Sequence, residues 1–309
     1  MRENDFLKWI RDQTPTHDTV TVNIGDDMAA VNIESSLALL KTDQCLDQVH
    51  FDLRHHTATQ AGRKAVNRCL SDCAAMACVP AAIMISVALP KEGVGSGEGF
   101  AKELFVACRE AGAVFDCPLV GGDTSVWDQR LAITVSALGK LPAGQGVVTR
   151  AGAKAGDVLF VSGALGGSIL GRHLKFTPRI ELAQKIARAA KGGLHAMMDL
   201  SDGLAQDVPR MGEASGVGVR LHAGRLPIHE DAWRLSEKDS LPAGFHALAD
   251  GEDYELLFAL DPEAVPGIVN LSEVPLTAIG EVTADRGLVL IDEQGQAHPW
   301  PRVGWEHHT

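Results

Sequence analysis

Residues 57–89 read TATQAGRKAVNRCLSDCAAMACVPAAIMISVAL. From Thr57 to Met76 the spacing of apolar residues predicts a helix, and AIMISVAL (82–89), closed by Pro90, predicts a short buried strand. At 3.6 residues per turn, Asp72 falls among Ala65, Cys69, Cys73 and Met76, not on the polar side of that helix. An acid on such a face calls for a cationic partner. Locally, a buried pair with Arg68, one turn back, would satisfy it.

Upstream, the pattern predicts a helix over 3–12, an apolar run at 20–24, a turn at Gly25-Asp26-Asp27 and a strand over 37–42. Downstream it predicts a helix over 98–111 and strands over 117–121 and 131–138. The turn-rich GKLPAGQG (139–146) then marks a boundary, giving domains 1–144 and 145–309. In the second half, strands are expected at 157–162, 218–222, 254–260, 277–282 and 287–291, and helices near 165–175 and 179–190. The apolar segment HAMMDL (195–200) precedes a further helical stretch. Both halves belong to the α+β or α/β class, and 309 residues suffice for two ordinary cores.

With 28 Lys plus Arg against 40 Asp plus Glu the formal charge is −12, and the basic residues are not clustered. That disfavours wrapping a nucleic-acid backbone, which needs clustered cations, and no nucleic-acid partner is expected. No apolar run reaches the ~18 residues of a membrane span, and MRENDFLKWIRD lacks the layout of a secretion signal, so a cytoplasmic protein without membrane attachment is expected. The six Cys form no CxxC pair and read as reduced core thiols.

Six motifs place carboxylates in turns or at strand ends: IGDDMAA (24–30), KTD (41–43), SDCAAM (71–76), GGDT (121–124), DLSDGL (199–204) and GEDYEL (251–256). Singly, each can be turn chemistry or a helix cap, as Ser201 or Asp202 would be before the helix that follows DLSDGL. Together they offer what Mg²⁺ requires, a hard cation usually shared between carboxylates and substrate phosphates. GxxxxGK[ST], HExxH, GxSxG and CxxC are all absent, which excludes a Walker-type cradle and lowers hydrolase and zinc readings. GALGGS (163–168) after a strand would approach phosphate or simply form a tight turn.

Taken in order, GDD, TD followed by VHF (49–51), K-x₆-SDxAAM (64–76), GGDT, RAGAKAGD (150–157), DLSDGL, GEDYEL and the closing GWEHH (304–308) resemble the thiamine-monophosphate kinases. These belong to the superfamily of aminoimidazole ribonucleotide synthetase, selenophosphate synthetase and the hydrogenase-maturation dehydratase. The resemblance implies a two-domain α+β fold whose N-terminal sheet pairs across a homodimer, with a C-terminal α/β domain. It further implies transfer of the ATP γ-phosphoryl group to thiamine monophosphate with several Mg²⁺ ions. Carried over by motif, Asp27, Thr42, Asp43, Asp72, Asp123, Asp199 and Asp202 would hold metal. Gly122, Asp123, Arg150 and Ser201 would meet ATP, and His50, Glu252 and Trp305 the thiamine phosphate. Asp72, Asp123, Arg150 and Asp202 would be the catalytic set.

The chemistry agrees with that implication. Two phosphate-bearing substrates meeting in an acidic protein need cations between them. The acceptor is already an anionic oxygen near neutral pH, so no strong base is needed. The reactive Cys of selenophosphate synthetases and the C-terminal Cys of the dehydratase have no counterpart, since the first Cys is Cys45 and the last Cys117. An aminoimidazole ribonucleotide synthetase, or a non-catalytic relative that binds nucleotide or thiamine phosphate, is the alternative. The departures from the family pattern are Lys41 in place of a small hydroxyl residue, Met-Ala-Cys at 76–78 in place of Met-Gly-Ala, Asp250 in place of Gly, and a His-His tail.

Overall fold

The computed structural model describes residues 20–22, 26–33 and 36–304. The helix expected over 3–12 and Trp305 lie outside them. The first half builds a six-stranded sheet from β1 (Val20–Val22), β2 (Ala29–Ile33), β3 (Ser36–Leu46), β4 (Val79–Pro90), β5 (Leu119–Trp127) and β6 (Ala132–Lys140). The spatial order is β1-β2-β3-β6-β4-β5, and only β4 and β5 run parallel. That parallel pair requires a crossover, which is helix α2 (Glu98–Ala113). Helix α1 (Ala58–Ala75) starts with a reciprocal capping box between Thr57 and Gln60, so its N-terminus lies where the sequence places it.

One face of this sheet carries the buried side chains Leu39, Ile83, Ile85, Ile133 and Val135 against α1 and α2. The opposite face leaves Leu40, Met84, Val120 and Leu138 exposed around a groove of about 470 Å³. Because successive residues of a strand alternate faces, Lys41 and Asp43 on β3 point toward α1 and Thr42 points away.

The second half holds a seven-stranded sheet of β7 (Val158–Ser162), β8 (Leu194–Asp199), β9 (Gly218–His222), β10 (Leu256–Leu260), β11 (Leu276–Thr283), β12 (Leu288–Ile291) and β13 (Ala297–Pro299). The order is β13-β12-β9-β11-β7-β10-β8, antiparallel except for β12 with β9. This half, expected as α/β, is therefore α+β in its strand pairing. Its helices are α3 (Ile180–Ala189), α4 (Leu204–Ser215), α5 (Glu230–Asp239), α6 (Ala243–Ala249) and the short α7 (Val265–Ile268). The helix expected over 165–175 is instead two short 3₁₀ turns, Ser168–Leu170 and Arg172–Leu174, interrupted by Gly171 at φ 123°.

Helix α1 joins the halves. Its side chains Cys69 and Cys73 share a continuous core with Leu39 and Val135 of the first sheet and with Ile186 and Met197 of the second half. All six Cys are buried and unpaired, as core thiols. Among the described residues no helix is long and apolar enough to cross a membrane.

Candidate active site

Three carboxylates from three separate elements meet where α1 touches both halves. Asp27 comes from the turn before β2, Asp72 from the last turn of α1, and Asp199 from the end of β8. All three are buried, and each offers an oxygen within 4.8 Å of the other two. Asp27 Oδ2 is buried without a hydrogen-bond partner among the described residues. A buried acceptor left open costs free energy, so the oxygen calls for a ligand. Hard oxygen donors in this arrangement suit Mg²⁺.

Cations and hydroxyls hold the carboxylates in place. Lys41 Nζ donates to Asp72 Oδ1 at 2.8 Å, Arg150 Nη2 to Asp27 Oδ1 at 2.5 Å, and Ser71 Oγ to Asp199 Oδ2 at 2.5 Å. The partner of Asp72 is thus Lys41, from a distant strand, and not the locally expected Arg68. Arg68 instead lies 3.6 Å from Asp43 and donates to the Gln44 carbonyl. Burial raises the pKa of Asp72, opposed by Lys41 and reinforced by Asp199, Asp43 and Asp27. Burial and the charge of Asp27 push Asp199 up to about 6.

The remaining expected metal residues are not members of this triad. Asp202 is paired with Arg210, which also donates to Asp207 at 2.8 Å. The backbone N–H groups of Ser201 and Asp202 both donate to Asp207 Oδ2 at 3.1 Å. Neither Ser201 nor Asp202 caps α4 with its side chain; Gly203 stands at that position. Asp207, which the sequence reading left out, therefore fixes the DLSDG turn from inside α4, three residues from Arg210 on the same face. Thr42 is on the far face of β3, bonded to Ser136 Oγ at 3.0 Å, and so apart from the triad. Asp123 is exposed on edge strand β5, beside a groove of about 310 Å³ formed with β4 and α2. At Gly122 a Cβ would lie 1.9 Å from the Ile85 carbonyl oxygen, so the close approach of β4 and β5 requires glycine there.

His50 and Glu252, expected at the thiamine phosphate, converge on a residue the sequence reading did not single out as a site. Lys64 is wholly buried, and its Nζ donates to the His50 carbonyl and to Glu252 Oε2 at 2.8 Å, and lies 2.7 Å from His173 Nδ1. Its signal lay in the helix pattern: Lys64, Arg68, Ser71 and Asp72 form a polar stripe on a helix buried nearly all round. The His50 ring accepts from the Leu46 N–H, and burial, aided by Arg68, drops its pKa to about 3, so the ring is neutral. Glu252 and Tyr254 both adopt positive φ, 52° and 51°, and Tyr254 stacks on Phe176 with centroids 3.9 Å apart. Left-handed backbone at two side-chain-bearing residues is strained and marks a shaped loop.

The other acids of GEDYEL hold that loop. Asp253 accepts from Gly166 N at 3.0 Å and from Arg172, while Glu255 accepts from Ser162 Oγ at 2.6 Å and from Arg179. Asp250 accepts from Gly167 N at 2.7 Å and lies 2.9 Å from His246 Nδ1, so it ties the same loop to GALGGS.

Comparison with known proteins places this geometry. The model for AIR synthase related proteins matches twice, its N-terminal domain over residues 25–141 and its C-terminal domain over 151–293. The thiamine-monophosphate kinase of Rhodopirellula baltica is 38% identical over 93% of this chain and 91% of its own. The chain belongs to the thiamine-monophosphate kinase family. The Salmonella typhimurium member of that family is 34% identical, covering 93% of this chain and 92% of its own. A solved structure described as AaThiL complexed with AMPPCP and TMP superposes with a TM-score of 0.85 at 28% identity, over 99% of this chain and 97% of that one. The family's two-domain α+β fold is the one described above.

Proposed function

We propose that this chain transfers the γ-phosphoryl group of ATP to thiamine monophosphate, giving thiamine diphosphate and ADP, with Mg²⁺ held by its buried carboxylates. The observation that carries this is the meeting of Asp27, Asp72 and Asp199 oxygens within 4.8 Å of one another, with Asp27 Oδ2 open, in a chain of this family. Bound Mg²⁺ would bridge phosphate oxygens and offset the charge that develops during in-line transfer. Asp27, Asp72 and Asp199 would hold it, with Asp43, Asp123 and Asp202 as further ligands of additional ions, while the Thr42 side chain faces the other side of β3.

The chain's own groups do the positioning. Arg150, held by Asp27, presents its guanidinium beside the triad with Nε buried and unpartnered among the described residues, and would meet the phosphates of ATP. Gly122, Asp123 and Ser201 complete the ATP side. Lys64 holds Glu252 and the His50 segment together as the wall that receives the thiamine phosphate. Trp305, next to the described C-terminus, would stack on the thiamine rings. Residues 1–144 supply most of the metal ligands and the subunit contact, and 145–309 supply Arg150, the DLSDG turn and the GED loop.

Incubation with ATP, Mg²⁺ and thiamine monophosphate should yield thiamine diphosphate by chromatography, and none when Mg²⁺ is chelated. Binding of both substrates without product would identify a non-catalytic relative. Failure to bind thiamine monophosphate would remove the substrate assignment.

The exposed apolar face of the first sheet would be covered by the same face of a second copy, forming a homodimer. Light scattering should give twice the chain mass. Replacing Met84 and Leu138 together by Lys should give the single-chain mass; a monomeric unaltered protein would refute the pairing.

A further inference from the structure

Lys41 lies near the middle of β3, which turns it inward onto the carboxylate cluster. Its Nζ lies 2.8 Å from Asp72 Oδ1, and Asp43 and Asp27 act on its charge as well. This is not a surface ion pair of small consequence: the Asp72 side chain is 9% exposed and belongs to the triad. The charge balance is informative. Asp27, Asp72 and Asp199 bring −3 when ionised, and Lys41 and Arg150 bring +2, leaving −1. Asp43 and Asp26 lie beside this set and make it more negative, so a neutral residue at 41 would leave one more negative charge for a bound cation to offset.

An ammonium and a divalent ion on one carboxylate oxygen would repel each other strongly at so short a separation in a buried site. The Lys41 backbone is anchored on the central part of a long strand, between β2 and β6, which sets its ammonium at the carboxylate cluster. We propose that the Lys41 ammonium is a resident cation that takes the place of one divalent ion at Asp72 and its neighbours. The chain then binds one metal ion fewer than the same cluster with a neutral residue at 41. This rests on the Mg²⁺ reading above.

The test counts Mn²⁺ bound per chain, by electron paramagnetic resonance of the free ion, with a non-hydrolysable ATP analogue present. Lys41→Ser introduces a neutral hydroxyl, and Lys41→Met removes the charge while keeping most of the volume; circular dichroism confirms their folds. Lys41→Ser should bind one more Mn²⁺ than the unaltered chain, and its activity should rise more steeply with Mg²⁺. Equal counts in the unaltered chain and both folded variants overturn the proposal. No Mn²⁺ bound to any of the three overturns the metal reading itself, which is a different result. The unaltered chain supplies a check that needs no variant: with ¹⁵N-lysine labelling, the Lys41 Nζ signal should keep its ion-paired position through Mg²⁺ saturation. Movement to the position of a free lysine means that an ion displaces the ammonium, and overturns the proposal.

Discussion

Asp72→Asn lowers thiamine diphosphate formation by at least about a hundredfold, a loss of roughly 3 kcal/mol of transition-state stabilisation, and raises the Mg²⁺ concentration needed for half-maximal rate. The substitution keeps the shape of the side chain and removes one of three negative charges that face a common point. A neutral amide oxygen is a weaker ligand for a hard cation than a carboxylate. The fold should survive, because burial works against the charged form of Asp72 and the amide escapes that cost. Lys41 keeps Asp43 close by and is 23% exposed, so it is not stranded. The decisive pairing is therefore a large kinetic loss with an unchanged circular dichroism spectrum and melting temperature. If Asp72→Asn unfolds the protein and the folded fraction turns over normally, Asp72 is a structural ion-pair partner and the metal assignment fails at its centre.

The elements that local rules govern were legible in the sequence. Helix α1 and the β-strand after it both read from the apolar pattern of residues 57–89. The gathering of acids was legible as composition, since carboxylates in successive turns have few uses other than caps or cation binding. Partner choice was not. Lys41 and Asp72 lie 31 residues apart, and Lys64 and Glu252 lie 188 apart, so no spacing rule connects them. One feature was within reach: strand alternation sets Thr42 opposite to Asp43, but a strand read as ending at residue 42 does not reveal it. Helix α5, EDAWRLSEKD, escaped because it buries only Ala232 and so shows little apolar periodicity. Strand β13 is three exposed residues at the sheet edge, without a pattern to read.

Lys64→Met is expected to destabilise the chain by about 3–5 kcal/mol, the usual result of removing one partner from a buried ion pair. For a chain of this size that lowers the melting temperature by on the order of 10 °C. Methionine fills the volume but gives nothing to the His50 carbonyl, His173 Nδ1 or Glu252, all of which now meet the ammonium. Burial pulls the Lys64 pKa below its ordinary value, so these three contacts work against a desolvation cost. The same pocket sets an acid dependence. Burial would raise the Glu252 pKa, but the charge and the hydrogen bond of Lys64 hold it at about 2 against an ordinary 4.5. A depressed carboxyl stabilises the fold fully above the unfolded value and loses that contribution as pH falls from about 4.5 toward 2. Lys64→Met should therefore flatten the fall in stability across that window, measured by urea unfolding at successive pH values. The double variant Lys64→Met/Glu252→Leu should recover most of the stability, because an apolar pair avoids the stranded charge. It should not recover binding of thiamine monophosphate, which calorimetry would follow, since Glu252 is a proposed contact of that substrate. A single-variant loss below about 1 kcal/mol would mean that the ammonium reaches water and the pocket is open, contrary to the structure.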